Sequence, residues 1–373
     1  PTNEDTIAAL ARIYANTENW EELKKVHLRE LENAVGDVQE AEVRARLARL
    51  ASDKLGNTDD AVEGWKRVLD LRGEDAEALW ALADLYQKQS RWAELTDVLE
   101  RNFDIADSDD ERVNILSRRA RLFLEQLSRE DEALETWNRV LDIDFANVPA
   151  LRAVAAIWRQ KKDAQELVTA LHAIIDRAGG LIESEELVAV YRELGKTYGQ
   201  RLEQPYEAAD AWRHLLEVDP QDFEAMNELE SIYRSDEQWV DIIGIKMQRA
   251  EALPSDEEKI RELLEVTELW RDQVGDYDKA TSAFDKILAV DPKHVGAFEA
   301  LETLHTTAAR WESLIELYLN RLETRELVQE RSDLLRRIAK IFEENLGDNN
   351  QAFDALVNAF SEDYRDDETA RYL

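Results

Sequence analysis

The sequence contains no cysteine among its 373 residues, and glycine and proline occur only 12 and 6 times. Without cysteine there are no disulfides, thiol nucleophiles or thiolate metal sites. So few turn-forming residues leave little room for β-hairpins or long loops, whereas abundant Ala, Leu, Glu and Arg favour helices. No apolar run approaches the roughly 18 residues of a membrane-spanning helix, so we expect no direct membrane insertion.

Positive charge is also scarce, because 47 basic residues stand against 82 acidic ones and give a formal net charge of −35. Such a surface repels nucleic acid and anionic lipid, so we expect no nucleic-acid partner. None of the five histidines lies in a metal-binding pair such as His-Glu-x-x-His, and no phosphate-binding glycine loop or nucleophile elbow occurs. We therefore expect no catalytic residue, no cofactor and no metal.

What the sequence does contain is a repeat marked by aromatic residues. The first series has spacings of 72, 147 and 72, and Ala164 occupies its skipped position: Trp20, Trp92, Trp239, Trp311. The second series has spacings of 72, 75, 72 and 72: Trp65, Trp137, Trp212, Phe284, Leu356. Both series share one three-residue insertion near Gly179-Gly180, where we expect a bend. Two series in one register indicate an internal repeat, and stacked repeats form a solenoid.

Each 72-residue period contains two helical hairpins. Between 77 and 103, apolar residues recur three and four positions apart on one helical face, and the pattern restarts after a short turn at 89–91. Ser108 and Ser255 each precede a glutamate by three residues, so we expect them to cap the helices that follow. The acidic stretch 107–111 lacks the spacing of a calcium loop and favours the same capping role. We expect hairpins at 4–36, 38–73, 75–107, 110–146, 147–181, 183–220, 222–254, 256–292, 294–326 and 327–363.

The hairpins share a set of residues at fixed places. One repeat carries Tyr191, Leu194-Gly195, Tyr198, Ala208 and Trp212, followed by Asp219-Pro220. In this pattern the whole chain resembles the tetratricopeptide repeat family, as a long array of the bacterial type. The resemblance implies an all-α fold: a right-handed α-solenoid (superhelix) of about ten helical hairpins. The chain departs from the family pattern in its even-numbered repeats, which carry one extra residue in the hairpin turn.

The resemblance also predicts how the repeats are distributed along the chain. We expect repeats one to five in 1–181, and repeats six to ten with the start of an eleventh in 182–373. The two groups would form a single continuous solenoid. Both ends fall inside a repeat, so we expect the chain to be a segment of a longer array.

The place of each tryptophan in the repeat suggests its role. In the family, positions 11, 17 and 24 pack between helices, and nine of the ten tryptophans fall there, so we expect them in the core. Trp80 is the exception, because it occupies position 5 of the third inner helix, which in the family faces the concave groove. Trp80 is therefore either a contact for a partner or a residue packed against a neighbouring inner helix.

Charge in the middle repeats runs against the composition. In repeats four to six, the positions that line the groove in the family include one acid, Glu125, and five basic residues: Arg121, Arg152, Arg159, Arg192, Lys196. A basic strip in an acidic solenoid would attract an acidic peptide segment. The alternative is that these residues pair with nearby glutamates and aspartates as an ordinary solvated surface.

The resemblance implies a non-enzymatic, cytoplasmic scaffold that binds a peptide or helix of a protein partner in its concave groove. A second interpretation is a structural spacer or self-assembling component of a large cell-surface or motility complex, which would be periplasmic or at the cell surface and would self-associate. A third is the regulatory arm of an enzyme whose catalytic domain lies outside this segment.

Overall fold

A computed structural model describes residues 4–364, and this range contains twenty α-helices and no β-strand. The odd-numbered helices are the first helices of ten hairpins: α1 Glu4–Asn16, α3 Asp37–Asp53, α5 Ala76–Lys88, α7 Asp109–Glu125, α9 Val148–Lys161, α11 Ser184–Lys196, α13 Phe223–Ser235, α15 Asp256–Glu268, α17 Val295–Thr307, α19 Val328–Ile341. The even-numbered helices are the second helices: α2 Trp20–Glu32, α4 Thr58–Arg72, α6 Trp92–Ile105, α8 Glu130–Ile143, α10 Ala164–Ala178, α12 Pro205–Val218, α14 Trp239–Ala252, α16 Tyr277–Val290, α18 Trp311–Glu323, α20 Asn349–Glu362.

The helices belong to two compact units whose boundary falls between Glu186 and Leu187, in the first turn of α11. In each unit, consecutive helices pack against one another along the chain. The predicted all-α solenoid of about ten hairpins is confirmed. The assignment of repeats to 1–181 and 182–373 in one continuous solenoid stays a prediction, and the expected start of an eleventh repeat lies outside the described residues beyond 364. None of the helices in 4–364 is long and apolar enough to cross a lipid bilayer.

The tryptophan series marks the starts of second helices. Its four members are the first residues of α2, α6, α14 and α18, and Ala164 is the first residue of α10. These four indoles are half-buried, as are Trp158 and Trp270. The second series lies deeper, since Trp65, Trp137 and Trp212 are only 1–3% exposed. Packing of these three tryptophans in the core is therefore confirmed.

The extra residue of the even-numbered repeats widens the last turn of the first helix. In repeat three, the Arg91 N–H donates to the Tyr86 carbonyl five residues back, at 2.9 Å. In repeat two, the Asn57 N–H donates to the Ala51 carbonyl six residues back, also at 2.9 Å. In repeats six, eight and ten the widened turn is π-helical: Thr197–Arg201, Leu269–Val274, Phe342–Leu346.

One of the two predicted serine caps is present in the structure. The Ser108 hydroxyl accepts a hydrogen bond from the Glu111 N–H at 3.2 Å, and the Glu111 carboxylate accepts one from the Asp107 N–H at 3.3 Å. This reciprocal pair satisfies two free amides before α7, as expected. Helix α15 also begins after Ser255, but the Ser255 side chain accepts no hydrogen bond from its first turn, so that part of the prediction is wrong.

Candidate functional site

Trp80 lies on α5 in the first unit, and 36% of its surface is exposed. Its helix begins after Asp75, whose carboxylate accepts a hydrogen bond from the Ala78 N–H at 3.0 Å. This cap fixes the register of the first turn, which buries Leu79 fully and leaves Trp80 at the surface. About a third of the Trp80 surface thus remains open to solvent beside a fully buried leucine.

The indole of Trp80 lines an open cleft of about 460 Å³ between α5 and α7. The other lining residues all belong to α7 or its first turn: Glu111, Asn114, Ile115, Arg118. The Arg118 guanidinium also donates a hydrogen bond to the Gln87 side chain, which ties α7 to α5 beside the cleft. Trp80 therefore faces α7 across the cleft, and α7 leaves part of the indole open to solvent.

Basic residues on first helices form ion pairs with acids on the next first helix. Arg49 of α3 pairs with Glu77 of α5, and the Lys196 Nζ of α11 lies 2.7 Å from Glu224 Oε1 of α13. In both cases the partners are 28 residues apart and occupy the same two repeat positions. The side chains are substantially exposed, and pairs of this kind contribute about 0–1 kcal/mol each.

Two other residues of the predicted basic strip are paired in the same way. The Arg152 Nε donates to Glu186 Oε1 at 2.6 Å, and this hydrogen bond raises the pKa of Arg152. Arg192 forms ion pairs with Asp222 and with Glu224, whose Oε2 lies 2.9 Å from the Arg192 Nε. Arg152, Arg192 and Lys196 are thus paired with carboxylates, as the alternative of an ordinary solvated surface predicts, and Arg159 also has an interaction partner.

Arg121 differs from its counterparts in the other repeats. It occupies the repeat position of Arg49 and Lys196, but the residue 28 positions later is Pro149 instead of a glutamate. Arg121 is exposed, and within residues 4–364 it forms no ion pair or side-chain hydrogen bond. Arg121 follows Arg118 by three positions and so lies on the same helical face, about one turn beyond the arginine that lines the Trp80 cleft.

The structure therefore brings together only part of the predicted site. In the first unit, Trp80 and Arg121 lie on the neighbouring helices α5 and α7, and Arg159 is exposed on α9. Asn114 and Arg118 line the same cleft but were not among the predicted residues. The spacing of three residues between Arg118 and Arg121 is the signal that identifies Arg118.

Comparisons with known proteins concern the repeat and the fold. A family model described as tetratricopeptide repeat matches residues 6–42. No curated protein matches the sequence.

The chain is also similar to many solved structures, among them the following three. A tetratricopeptide repeat protein from Parabacteroides merdae is 16% identical, with 71% of this chain and 99% of that chain covered and a TM-score of 0.31. YrrB, described as a protein with an unusual peptide-binding site, is 15% identical, with 54% and 96% covered and a TM-score of 0.31. The Naa15/Naa10 structure with HypK-THB is 12% identical, with 98% and 64% covered and a TM-score of 0.41.

Likeness at this level of identity and superposition carries no inference about function. The family match covers the first hairpin, and the aromatic series carries the same register through nine more. The resemblance indicated by the sequence is thus confirmed, with a direct match to the tetratricopeptide repeat at residues 6–42.

Proposed function

We propose that the protein is a non-enzymatic scaffold that binds a protein partner through the first helices of its first unit. The observation that carries the proposal is the exposed Trp80 in an open cleft, next to the unpaired Arg121. Tryptophan and arginine are the residues most often found at the energetic centre of protein interfaces. In this arrangement, Trp80 supplies apolar contact area and Arg121 supplies a bidentate donor.

The same geometry indicates the chemistry of the partner. A segment that fits has an apolar side chain for the Trp80 cleft and a carboxylate for Arg121. The paired residues Arg152, Arg192 and Lys196 contribute less, because a partner carboxylate has to displace Glu186, Asp222 or Glu224. This narrows the predicted acidic peptide to one with an apolar anchor.

The experiment compares two matched double variants as bait, with proteins captured from the native source and quantified by mass spectrometry. The test variant is Trp80→Ala with Arg121→Glu. The control is Phe145→Ala with Arg177→Glu, in the same unit: Phe145 is 66% exposed, and Arg177 is exposed on α10. Loss of an interface hot spot of at least about 2 kcal/mol weakens binding roughly 30-fold, so the test variant should lose partners that the control retains.

Two results would count against this function. Equal capture by the test and control variants would remove the Trp80 cleft from the interface. A protein that captures no partner but self-associates in light scattering would favour the structural spacer instead. Reversing Arg152, Arg192 and Lys196 to glutamate tests the remainder of the strip, and we expect a smaller loss than for the test variant.

A further inference from the structure

Two arginines are buried at the same place in second helices of the second unit. Arg249 of α14 and Arg321 of α18 are 72 residues apart, and only 8% and 4% of their surfaces are exposed. A guanidinium stays charged at this depth, and its burial costs several kcal/mol unless carboxylates and hydrogen bonds compensate it. Both guanidinium groups have nitrogens without a hydrogen-bond partner, and the two repeats differ in whether carboxylates are present.

Repeat seven supplies carboxylates for its own buried arginine. The Arg249 Nη1 lies 2.8 Å from Glu230 Oε2 of α13 and 3.3 Å from Glu262 Oε1 of α15. Lys246, one turn earlier on α14, shares both acids at 3.2 Å. The charge of Arg249 is therefore matched from the helices on either side.

Repeat nine lacks such a match. The Arg321 Nη1 donates to the Pro292 carbonyl at 2.9 Å, and the guanidinium lies 4.8 Å from the centre of the Phe298 ring. The Arg321 Nε has no hydrogen-bond partner. In the part of the chain that the structure describes, no carboxylate oxygen lies within 4.0 Å of a guanidinium nitrogen of Arg321, the distance that defines an ion pair. Arg321 is thus a buried cation that forms no ion pair; Asp291 and Glu330 act on it only from beyond ion-pair distance.

The sequence explains why the carboxylates are missing. The residues 72 positions after Glu230 and Glu262 are Glu302 and Leu334. Leu334 cannot accept a hydrogen bond, and Glu302 is engaged elsewhere, because it accepts from the Tyr318 hydroxyl and from the Arg337 Nη1, at 2.7 Å for the latter.

Arg321 lines a cleft of about 690 Å³ formed by α16, α17 and α18. His305 of α17 lines the same cleft; it is 7% exposed, and its Nδ1 is buried with no hydrogen-bond partner. Leu288, Leu317 and Phe298 supply apolar walls. A volume of this size suits a small ligand or a peptide end, and apolar walls with a few convergent polar groups are typical of ligand sites.

The charges at the edge of this cleft restrict what it accepts. Asp285, Glu316 and Glu323 also line it, and all three are exposed to solvent. Exposed carboxylates repel a second negative charge on a ligand, although water screens them more than it screens the buried guanidinium. The buried part of the cleft therefore favours one anionic group, and the edge disfavours more.

We propose that this cleft binds a ligand with a single carboxylate group on an apolar body, and that Arg321 and His305 hold the carboxylate. The ligand supplies the counter-charge that Glu230 and Glu262 supply to Arg249 in repeat seven. The site lies on α16, α17 and α18 in the second unit, so it does not depend on the function proposed for the Trp80 cleft.

A free small-molecule carboxylate and the C-terminus of a peptide share this chemistry, and two probes distinguish them. Benzoate represents the free carboxylate and N-acetylphenylalanine represents the peptide end. Benzamide and N-acetylphenylalanine amide are their neutral controls. The readout is the Nε–Hε resonance of Arg321 in full-length protein labelled with ¹⁵N-arginine, with the resonance of the paired Arg249 as an internal control.

We expect a saturable shift of the Arg321 resonance with a carboxylate probe, none with its amide, and none at Arg249. A response to both carboxylates supports a site for free carboxylates, and a response to N-acetylphenylalanine alone supports a site for a peptide C-terminus. Arg321→Met identifies the resonance and should abolish probe binding without lowering the hydrogen-exchange protection of α17 and α18, because it removes a buried charge that forms no ion pair. Absence of any shift, or equal shifts from acid and amide, would overturn the proposal.

Discussion

Replacing either of two helical glycines of the second unit with alanine should have opposite effects on stability. A Cβ added to Gly195 on α11 would lie 2.5 Å from Trp212 Cε2 and 2.8 Å from Cδ2 and Nε1. The Trp212 ring is 1% exposed and has no free space in which to move. A Cβ added to Gly244 on α14 meets nothing within 4 Å. Gly244→Ala is therefore the matched control for Gly195→Ala.

The expected sizes follow from these distances. Alanine stabilises a helix interior by about 1 kcal/mol relative to glycine, and both sites gain this amount. At Gly195 the shortest distance from the added Cβ, 2.5 Å, is almost 1 Å less than the 3.4 Å at which ordinary van der Waals contact begins. Such overpacking belongs at the upper end of the usual range, about 3 kcal/mol, so the net destabilisation is about 2 kcal/mol.

Hydrogen exchange read by mass spectrometry is the suitable assay, because a solenoid opens locally and a single unfolding midpoint averages over its repeats. We expect amides of α11 and α12 in Gly195→Ala to exchange roughly 30-fold faster, and amides of α14 in Gly244→Ala roughly fivefold slower. Adding Trp212→Leu to Gly195→Ala should cost less than the two single changes together, because it removes the clash. Unchanged or stronger protection of α11 and α12 in Gly195→Ala would refute the steric argument.

Two further predictions concern buried groups. Burial raises the pKa of Glu230, but its cationic neighbours on α13 and α14 outweigh that effect and lower the pKa from 4.5 to about 2. A carboxylate whose pKa is lower in the folded state than in the unfolded state stabilises the fold at pH values above its unfolded-state pKa, and this contribution is lost as pH falls. The hydrogen-exchange protection of α13 to α15 should therefore decline between pH 4.5 and 2. Glu230→Gln should remove this decline. Trp65→Ala should destabilise repeat two by about 3–5 kcal/mol in hydrogen exchange, because Trp65 is 2% exposed; a loss as small as that of Trp80→Ala would contradict its place in the core.

The sequence predicts the architecture well because the repeat multiplies each signal. One tryptophan before an amphipathic segment is ambiguous, but four in one register mark the starts of α2, α6, α14 and α18. The widened turn of the even repeats was visible only as one extra residue. Its hydrogen bonding depends on which carbonyl the N–H of Asn57 reaches, and spacing alone does not determine that.

The candidate site was predicted less completely, because the acidic partners of its basic residues lie outside the groove positions of repeats four to six. Glu186 and Asp222 precede the groove positions of their helices, and Glu224 belongs to repeat seven, yet they neutralise three basic residues of repeats five and six. Trp80 and Arg121 remain open because of single local features: the register set by a cap, and a proline in the place of a glutamate.

The alternation between odd and even repeats has a consequence for how gene duplication or deletion can change the number of repeats. Ion pairs such as Arg49 with Glu77 and Lys196 with Glu224 join an even repeat to the odd repeat that follows. The tryptophan-led second helices belong to odd repeats and the widened turns to even ones. Gene duplication or deletion preserves this alternation only when it moves two hairpins together. The heritable module of the array is therefore the 72-residue pair, and grafts that exchange whole pairs should fit where single hairpins do not.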